Sequence, residues 1–119
     1  MKKFAFTDFS SNPQFDGVRD VEPEALLAAA EKLVIIDVRE PDEFTGELGH
    51  IDGARLVPLA SLSTAIDSLP PDQTIVFVCR SGGRSARATA FALESGLTEV
   101  YNLKGGMLRW NQIGHEVKK

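Results

Sequence analysis

The sequence predicts a single α/β domain built around a mostly parallel sheet, and three observations lead to this fold class. The chain has 119 residues, 43% of them apolar and 25% charged, which is typical of one globular domain. From residue 18 onward, strand-like and helix-like patterns alternate along the chain. Two runs, 33–38 and 74–78, are largely β-branched and apolar, as expected for strands buried on both faces of a parallel sheet.

The alternation predicts five strands and five helices in order along the chain. The strands are expected at 18–21, 33–38, 55–57, 74–78 and 99–103. The helices are expected at 24–32, from Pro41, at 61–69, 84–95 and 105–112. Pro23 suits a first helical position and Gly96 suits the end of a helix. Because ligands of parallel sheets bind at the carboxyl ends of strands, the site is expected where run 74–78 ends.

Residues 1–17 contain aromatic side chains but no sustained hydrophobic period, and we interpret them as an N-terminal extension that packs loosely on the domain. Three roles stay open for this segment: it covers part of the core, it binds a partner, or it merely precedes the domain. The domain itself is predicted over residues 18–117.

Cys79 follows the strand predicted at 74–78 and is the only cysteine, which excludes an intramolecular disulfide and any multi-cysteine metal site. It opens a loop that leads into a helix. The backbone N–H groups of residues 80–85 are expected to surround the sulfur as an anion cradle. Gly82 and Gly83 are expected to supply positive φ angles, and Ser81 and Ser85 to supply hydroxyl donors. This environment favours the thiolate, which is the nucleophilic form of cysteine.

The charge distribution indicates a small anionic ligand. The net charge is −4, yet the window 73–93 contains three arginines, Arg80, Arg84 and Arg87, and no acidic residue. Nothing in the sequence resembles the basic face of a nucleic-acid binder. The chain shows neither an apolar run of signal-peptide length at its start nor a membrane span, so a cytoplasmic location is the expectation.

The loop resembles the active-site loop of the rhodanese family, whose pattern Cys-x-x-Gly-x-Arg is matched by Cys79, Gly82 and Arg84. Segments 36–44, 49–59 and 101–110 are similar to three further signatures of the family, in the family order, and together the matches cover about residues 18–117. Asp52 departs from the pattern, which more often has proline there. The resemblance implies a rhodanese-like three-layer domain, with a mostly parallel five-stranded sheet flanked by helices.

The resemblance also implies sulfurtransferase activity by double displacement, without a cofactor. Cys79 would be the catalytic nucleophile, taking a sulfane sulfur from a small anionic donor such as thiosulfate or from a protein donor. A thiophilic acceptor, such as cyanide, a thiol or a partner protein, would then take the sulfur from the Cys79 persulfide. Arg84 would support the loop and its positive potential, and Arg80 would tune the choice of donor or partner. The substrate-binding residues implied by the loop are Arg80, Ser81, Gly82, Gly83, Arg84 and Ser85.

Three alternative functions follow from the same fold. A sulfur-carrier module would use Cys79 to receive sulfur from one protein and deliver it to another, with little thiosulfate turnover. An inactive interaction domain would commonly lack the cysteine that this chain retains. A phosphatase is disfavoured, because phosphatase relatives have a Cys-x5-Arg loop, whereas four residues separate Cys79 from Arg84 here.

Several other conspicuous residues are interpreted as structural. Asp37 and Arg39 are expected to form an ion pair or a loop tether, and His50 to be a hydrogen-bonded structural histidine. Core positions are expected for Tyr101, Met107 and Trp110. The turn at 104–106 would border the site, and Arg87 would either add to the local positive field or solvate its helix.

Overall fold

The computed structural model describes residues 4–119, so the first three residues of the predicted extension lie outside the description. The strands are β1 Ser10–Ser11, β2 Arg19–Val21, β3 Leu33–Asp37, β4 Arg55–Leu56, β5 Thr74–Val78 and β6 Val100–Leu103. The α-helices are α1 Pro23–Ala29, α2 Pro41–Phe44, α3 Leu62–Ala65, α4 Gly83–Glu94 and α5 Gly106–Gln112. Among the described residues, no helix combines the length and apolarity needed to cross a bilayer.

The strands form one sheet in the order β1-β2-β6-β5-β3-β4. All neighbours from β2 to β4 are parallel, which confirms the predicted α/β class. The expectation of five strands is wrong by one, because Ser10–Ser11 adds an antiparallel edge strand beside β2. Two exposed serines carry no alternating pattern, so this pairing left no signal in the sequence.

Side chains that alternate along the central strands pack into two hydrophobic cores, one on each face of the sheet. Ile35, Val76 and Tyr101 pack beneath α1 and α5. Ile36 and Phe77 lie on the opposite face, beneath α3 and α4, and Cys79 belongs to that second core. The predicted core positions at Tyr101, Met107 and Trp110 are confirmed, since each is at most 1% exposed.

The single helix predicted at 61–69 is wrong. The chain instead forms a 3₁₀ turn at Leu59–Ser61, the short helix α3, and a second 3₁₀ turn at Ile66–Ser68. Serine and threonine side chains compete for backbone hydrogen bonds and favour turns; the Ser68 hydroxyl, for example, donates to the Ala65 carbonyl at 2.7 Å. The apolar spacing still buries Leu62 and Ile66 against the sheet.

The N-terminal segment wraps around the β2 edge of the sheet more closely than a loosely packed extension would. The Phe6 side chain is buried, and its ring meets the Tyr101 ring edge-on at 4.8 Å between centroids. On the other face of the sheet, the Arg87 guanidinium lies 5.8 Å from the centre of the Phe15 ring. Arg87 therefore contacts the segment as well as being exposed on α4. The domain boundary at residue 18 stays a prediction.

Candidate functional site

Cys79 lies directly after β5, at the carboxyl end of the parallel sheet, and its side chain is 1% exposed. Its sulfur accepts a hydrogen bond from the Gly82 N–H at 3.1 Å, and the Ser85 hydroxyl oxygen lies 3.2 Å from it. Ser85 belongs to the first turn of α4, where backbone N–H groups have no acceptor within the helix. The sulfur thus faces a helix start, an arrangement that favours negative charge on a bound atom.

Only one of the two loop glycines adopts the left-handed backbone expected for both. Gly82 has φ +107° and precedes α4 as its N-cap residue. Gly83 has no positive φ, because α4 begins one residue earlier than predicted and Gly83 is its first helical residue. The expectation for Gly83 is therefore wrong, and the turn that brings an N–H to the sulfur depends on Gly82 alone.

The start of α5 holds the other end of the loop. The Met107 N–H donates to the Cys79 carbonyl and the Leu108 N–H to the Arg80 carbonyl, both at 2.9 Å. Gly106 has φ +57°, and a Cβ at this position would lie 2.5 Å from each of those two carbonyl oxygens. The turn at 104–106 therefore borders the site, as the sequence suggested, and it leaves no room for a side chain at Gly106.

Arg84 pairs with Glu43 of α2, whose carboxylate oxygens accept hydrogen bonds from both terminal nitrogens of the guanidinium, at 2.8 and 2.9 Å. These hydrogen bonds are the main cause that lowers the pKa of Glu43 to about 2. The same contact raises the pKa of Arg84, and Cys79 adds a smaller Coulombic effect in the same direction. Arg84 thus fixes the loop to α2, and much of its charge is matched by Glu43.

A buried ion pair supports the neighbouring strand end. Arg39 forms a two-pronged contact with Asp37, with nitrogen–oxygen distances of 2.9 and 2.8 Å, and both side chains are about 1% exposed. Arg39 also donates to the Gly49 carbonyl at 2.7 Å, so the pair ties the chain after α2 to β3. The expected ion pair and loop tether are confirmed.

His50 has a structural environment. Its ring stacks on Phe44 with 3.7 Å between centroids, and its Nδ1 lies 2.8 Å from the Phe44 carbonyl oxygen. The predicted hydrogen-bonded histidine is confirmed.

The surface beside the loop, around Arg80, has mixed charge. Arg80 and Ser81 are exposed, and within residues 4–119 the hydrogen-bond partners of the sulfur are the Gly82 N–H and the Ser85 hydroxyl, not Ser81. Arg80 contributes to a cleft of about 360 Å³ that also contains Arg39 and three carboxylates, those of Asp42, Glu43 and Glu47. Across the described part of the chain, no three histidine, cysteine, aspartate or glutamate side chains are arranged to hold a metal ion.

The comparisons with known proteins give the family. The family model of the rhodanese-like domain matches residues 22–113. The chain belongs to the rhodanese-like family. It is 40% identical over 93 residues to the uncharacterized protein YqhL of Bacillus subtilis, with 78% of this chain and 72% of YqhL aligned. It is 30% identical to the thiosulfate sulfurtransferase GlpE of Pseudomonas aeruginosa, over 82% of this chain and 88% of GlpE.

Solved structures agree with the family fold. The crystal structure of a rhodanese-related protein from Thermoplasma volcanium superposes with a TM-score of 0.78 and 27% identity, covering 83% of this chain and 96% of the other. The rhodanese-like fold predicted from the loop and its flanking signatures is therefore confirmed.

Sequence reasoning missed three polar residues that this rhodanese-like domain places around its loop. Glu43 holds Arg84, while Asn102 of β6 and Asp20 of β2 lie behind Ser85. Asp20 and Asn102 are 5% and 2% exposed although both are polar. For Asn102 the available signal was a polar residue within the otherwise apolar strand β6, because buried polar groups require partners.

Proposed function

We propose that this rhodanese-like domain is a sulfurtransferase that carries a sulfane sulfur on Cys79. The single observation behind the proposal is the position of the Cys79 sulfur, which accepts a hydrogen bond from the Gly82 N–H at the start of α4. A thiolate in this position is stabilised without a neighbouring base, and attack on a sulfane sulfur requires no proton removal.

The proposed reaction has two displacement steps. The Cys79 thiolate attacks the outer sulfur of thiosulfate, a new S–S bond forms, and the old one breaks as sulfite leaves with the bonding electron pair. The negative charge then resides on the outer sulfur of the persulfide. A nucleophile such as cyanide attacks that sulfur and leaves as thiocyanate, and the thiolate is restored as the leaving group.

The roles proposed for the loop follow from its contacts. Gly82 supplies an N–H to the sulfur, and Ser85 supplies a hydroxyl within 3.2 Å of it. Because Cys79 is only 1% exposed, a donor has to approach past the exposed residues Arg80, Ser81 and Gly83. Arg84 holds the loop through Glu43, which leaves Arg80 as the loop arginine available to a donor.

Mass spectrometry after treatment with thiosulfate tests the proposal directly. The intact protein is expected to gain about 32 Da, the mass of one sulfur atom, and to lose it on addition of cyanide. The matched control is Cys79→Ser, which is expected to stay at its own mass and to show no sulfur transfer. Transfer above background in Cys79→Ser, or no mass gain from thiosulfate or any persulfide donor, would refute the proposal.

A sulfur-carrier function is the second candidate, and the charge around Arg80 favours it. Three carboxylates line the cleft that contains Arg80, and Glu43 matches the charge of Arg84, so the surface beside the loop is not uniformly positive toward a free dianion such as thiosulfate. Steady-state turnover with thiosulfate and cyanide separates the two candidates. Rapid loading from a persulfidated protein together with negligible thiosulfate turnover would identify a carrier.

A further inference from the structure

A chain of buried polar groups leads from the Cys79 sulfur to the N-terminal segment. The Ser85 hydroxyl oxygen lies 3.2 Å from the sulfur and 2.5 Å from Asn102 Oδ1. Asn102 Nδ2 donates to Asp20 Oδ1 at 3.0 Å, and Asn12 Nδ2 donates to the same carboxylate oxygen at 3.1 Å. The Asp20 and Asn102 Cα atoms are register partners in the parallel pairing of β2 with β6, so the sheet itself sets their contact.

The Asp20 carboxylate fixes the direction of each hydrogen bond in this series of polar groups. A carboxylate only accepts, so the Asn102 amide has to turn its Nδ2 toward Asp20 and its Oδ1 toward Ser85. The Ser85 hydroxyl has one proton and two acceptors within reach, the amide oxygen at 2.5 Å and the sulfur at 3.2 Å. The nearer acceptor competes with the sulfur for that proton.

The empty and the sulfur-loaded forms of Cys79 differ in how strongly the Cys79 sulfur attracts the Ser85 hydroxyl proton. A bare thiolate attracts the Ser85 proton, and if the proton turns to the sulfur, the buried Asn102 Oδ1 loses this donor. In a persulfide, the negative charge lies on the outer sulfur and the inner sulfur is neutral, so Ser85 is free to donate to Asn102. Of the thiolate and the persulfide, only the persulfide therefore satisfies the amide without depriving a charged sulfur of this donor.

We propose that Asp20 and Asn102 are positioning residues that draw the Ser85 proton away from the Cys79 sulfur and so favour the sulfur-loaded form over the empty thiolate. The statement about loading rests on the proposed sulfurtransferase function. The effect on the empty thiol does not, because alkylation measures it in the absence of any sulfur donor.

Asp20→Asn is the informative substitution, since it keeps the shape of the side chain and permits the hydrogen bonds between Asp20 and Ser85 to reverse direction. An asparagine at position 20 would accept from Asn12 and donate to Asn102 Oδ1, and Asn102 Nδ2 would then donate to Ser85. The Ser85 proton would be available to the sulfur alone. The midpoint of the pH–rate profile for alkylation of Cys79 by iodoacetamide is therefore expected to fall by about half a unit to one unit.

A double-mutant cycle with Ser85→Ala tests whether the effect passes through the hydroxyl. In the Ser85→Ala background, Asp20→Asn is expected to shift the midpoint by less than about 0.2 unit, since no contested proton is left. If the Asp20 charge instead acted directly on the thiol, its removal would shift the midpoint equally in both backgrounds. The charged groups around the loop, Arg84 on α4 with its partner Glu43 on α2 and the pair formed by Asp37 at the end of β3 with Arg39 beyond it, are identical in all four proteins.

Thr89→Val is the matched structural control. The buried Thr89 hydroxyl, one turn further along α4, donates to the Ser85 carbonyl at 2.7 Å and has no hydrogen bond to the sulfur among the described residues. This variant is expected to lose stability without moving the alkylation midpoint. If Asp20→Asn does not fold, Asn102→Ala removes the competing acceptor itself and is expected to lower the midpoint in the same way.

The loaded fraction at a fixed ratio of thiosulfate to sulfite provides the second readout. Mass spectrometry is expected to show the persulfide-to-thiolate ratio reduced about three- to tenfold in Asp20→Asn, which corresponds to the same half to one pH unit. An unchanged alkylation midpoint, or equal shifts with and without Ser85, would overturn the proposed effect of Asp20 and Asn102 on the Ser85 proton. Absence of a persulfide in the unsubstituted protein would instead refute the proposed function. The double-mutant cycle measured by alkylation would still test the effect of Asp20 and Asn102 on the Ser85 proton.

Discussion

The Glu43 carboxylate receives two hydrogen bonds from the Arg84 guanidinium, at 2.8 and 2.9 Å, across the gap between α2 and the first turn of α4. Glu43 also accepts from the Glu40 N–H at 3.0 Å, so one side chain closes the capping box of α2 and holds the loop around Cys79. The conformation of the loop is therefore coupled to the ionisation of a carboxyl group outside it.

This pair should make stability depend on pH in a defined window. The pKa of Glu43 is lowered from 4.5 to about 2, so its stabilising contribution is fully present above about pH 4.5 and is lost as the pH falls toward 2. Glu43→Gln is expected to reduce the free energy of unfolding by about 1 kcal/mol at pH 7, a modest value because solvent screens a partly exposed pair. Denaturant unfolding of both proteins at pH 7, 4 and 2.5 measures the difference. A constant difference at all three pH values would contradict the assignment.

Gly106→Ala should displace the loop around Cys79. The added Cβ would lie 2.5 Å from the Cys79 and Arg80 carbonyl oxygens, and the left-handed backbone adds its own strain. We expect a loss of more than about 2 kcal/mol in unfolding free energy and a large loss of reactivity at Cys79. Gly114→Ala is the control, since Gly114 also has positive φ but nothing within 4 Å of its Cβ position, and it should cost about 1 kcal/mol. Equal effects of the two substitutions would mean that Gly106 matters only for its φ angle.

Phe6→Ala should show how much the N-terminal segment contributes to the core. Phe6 is 6% exposed and packs edge-on against Tyr101, so its truncation is expected to reduce the free energy of unfolding by about 2–4 kcal/mol. Phe9→Ala is the matched control, because Phe9 is 46% exposed, and it should cost less than about 1 kcal/mol. Thermal and urea unfolding measure both variants. A negligible effect of Phe6→Ala would show that the segment only covers the domain.

Tyr101 offers a direct spectroscopic check of the fold, since it is the only tyrosine. Burial, followed by the hydrogen bond from its hydroxyl to Glu99 at 2.6 Å, raises the pKa of Tyr101 to about 12. Absorbance near 295 nm should therefore report ionisation close to pH 12 in the native protein and near pH 10.0 in denaturant. Because folding raises this pKa, the contribution of Tyr101 to stability is complete below pH 10 and disappears as the pH rises toward 12. Native titration near pH 10 would indicate that Tyr101 is not buried as described.

The central part of the fold was predictable because its signals are local. Strand β5 and the loop from Cys79 to Arg84 are contiguous in the sequence, and the order of apolar strand, glycine loop and helix places a thiol at a helix start. The edge strand Ser10–Ser11 and the broken helix around α3 were not predicted, since short polar segments adopt their form from the surface they cover.

By itself, the sequence determined the parallel α/β order, the cysteine loop and the resemblance to the rhodanese-like family, because each depends on residues close together along the chain. Only the tertiary structure decided which side chains support that loop. Asp20 and Asn102 are separated by 82 positions, and Glu43 and Arg84 by 41, so their contacts depend on strand register and helix placement. No local period encodes such pairings, since they arise when buried polar groups find partners during packing of the whole domain.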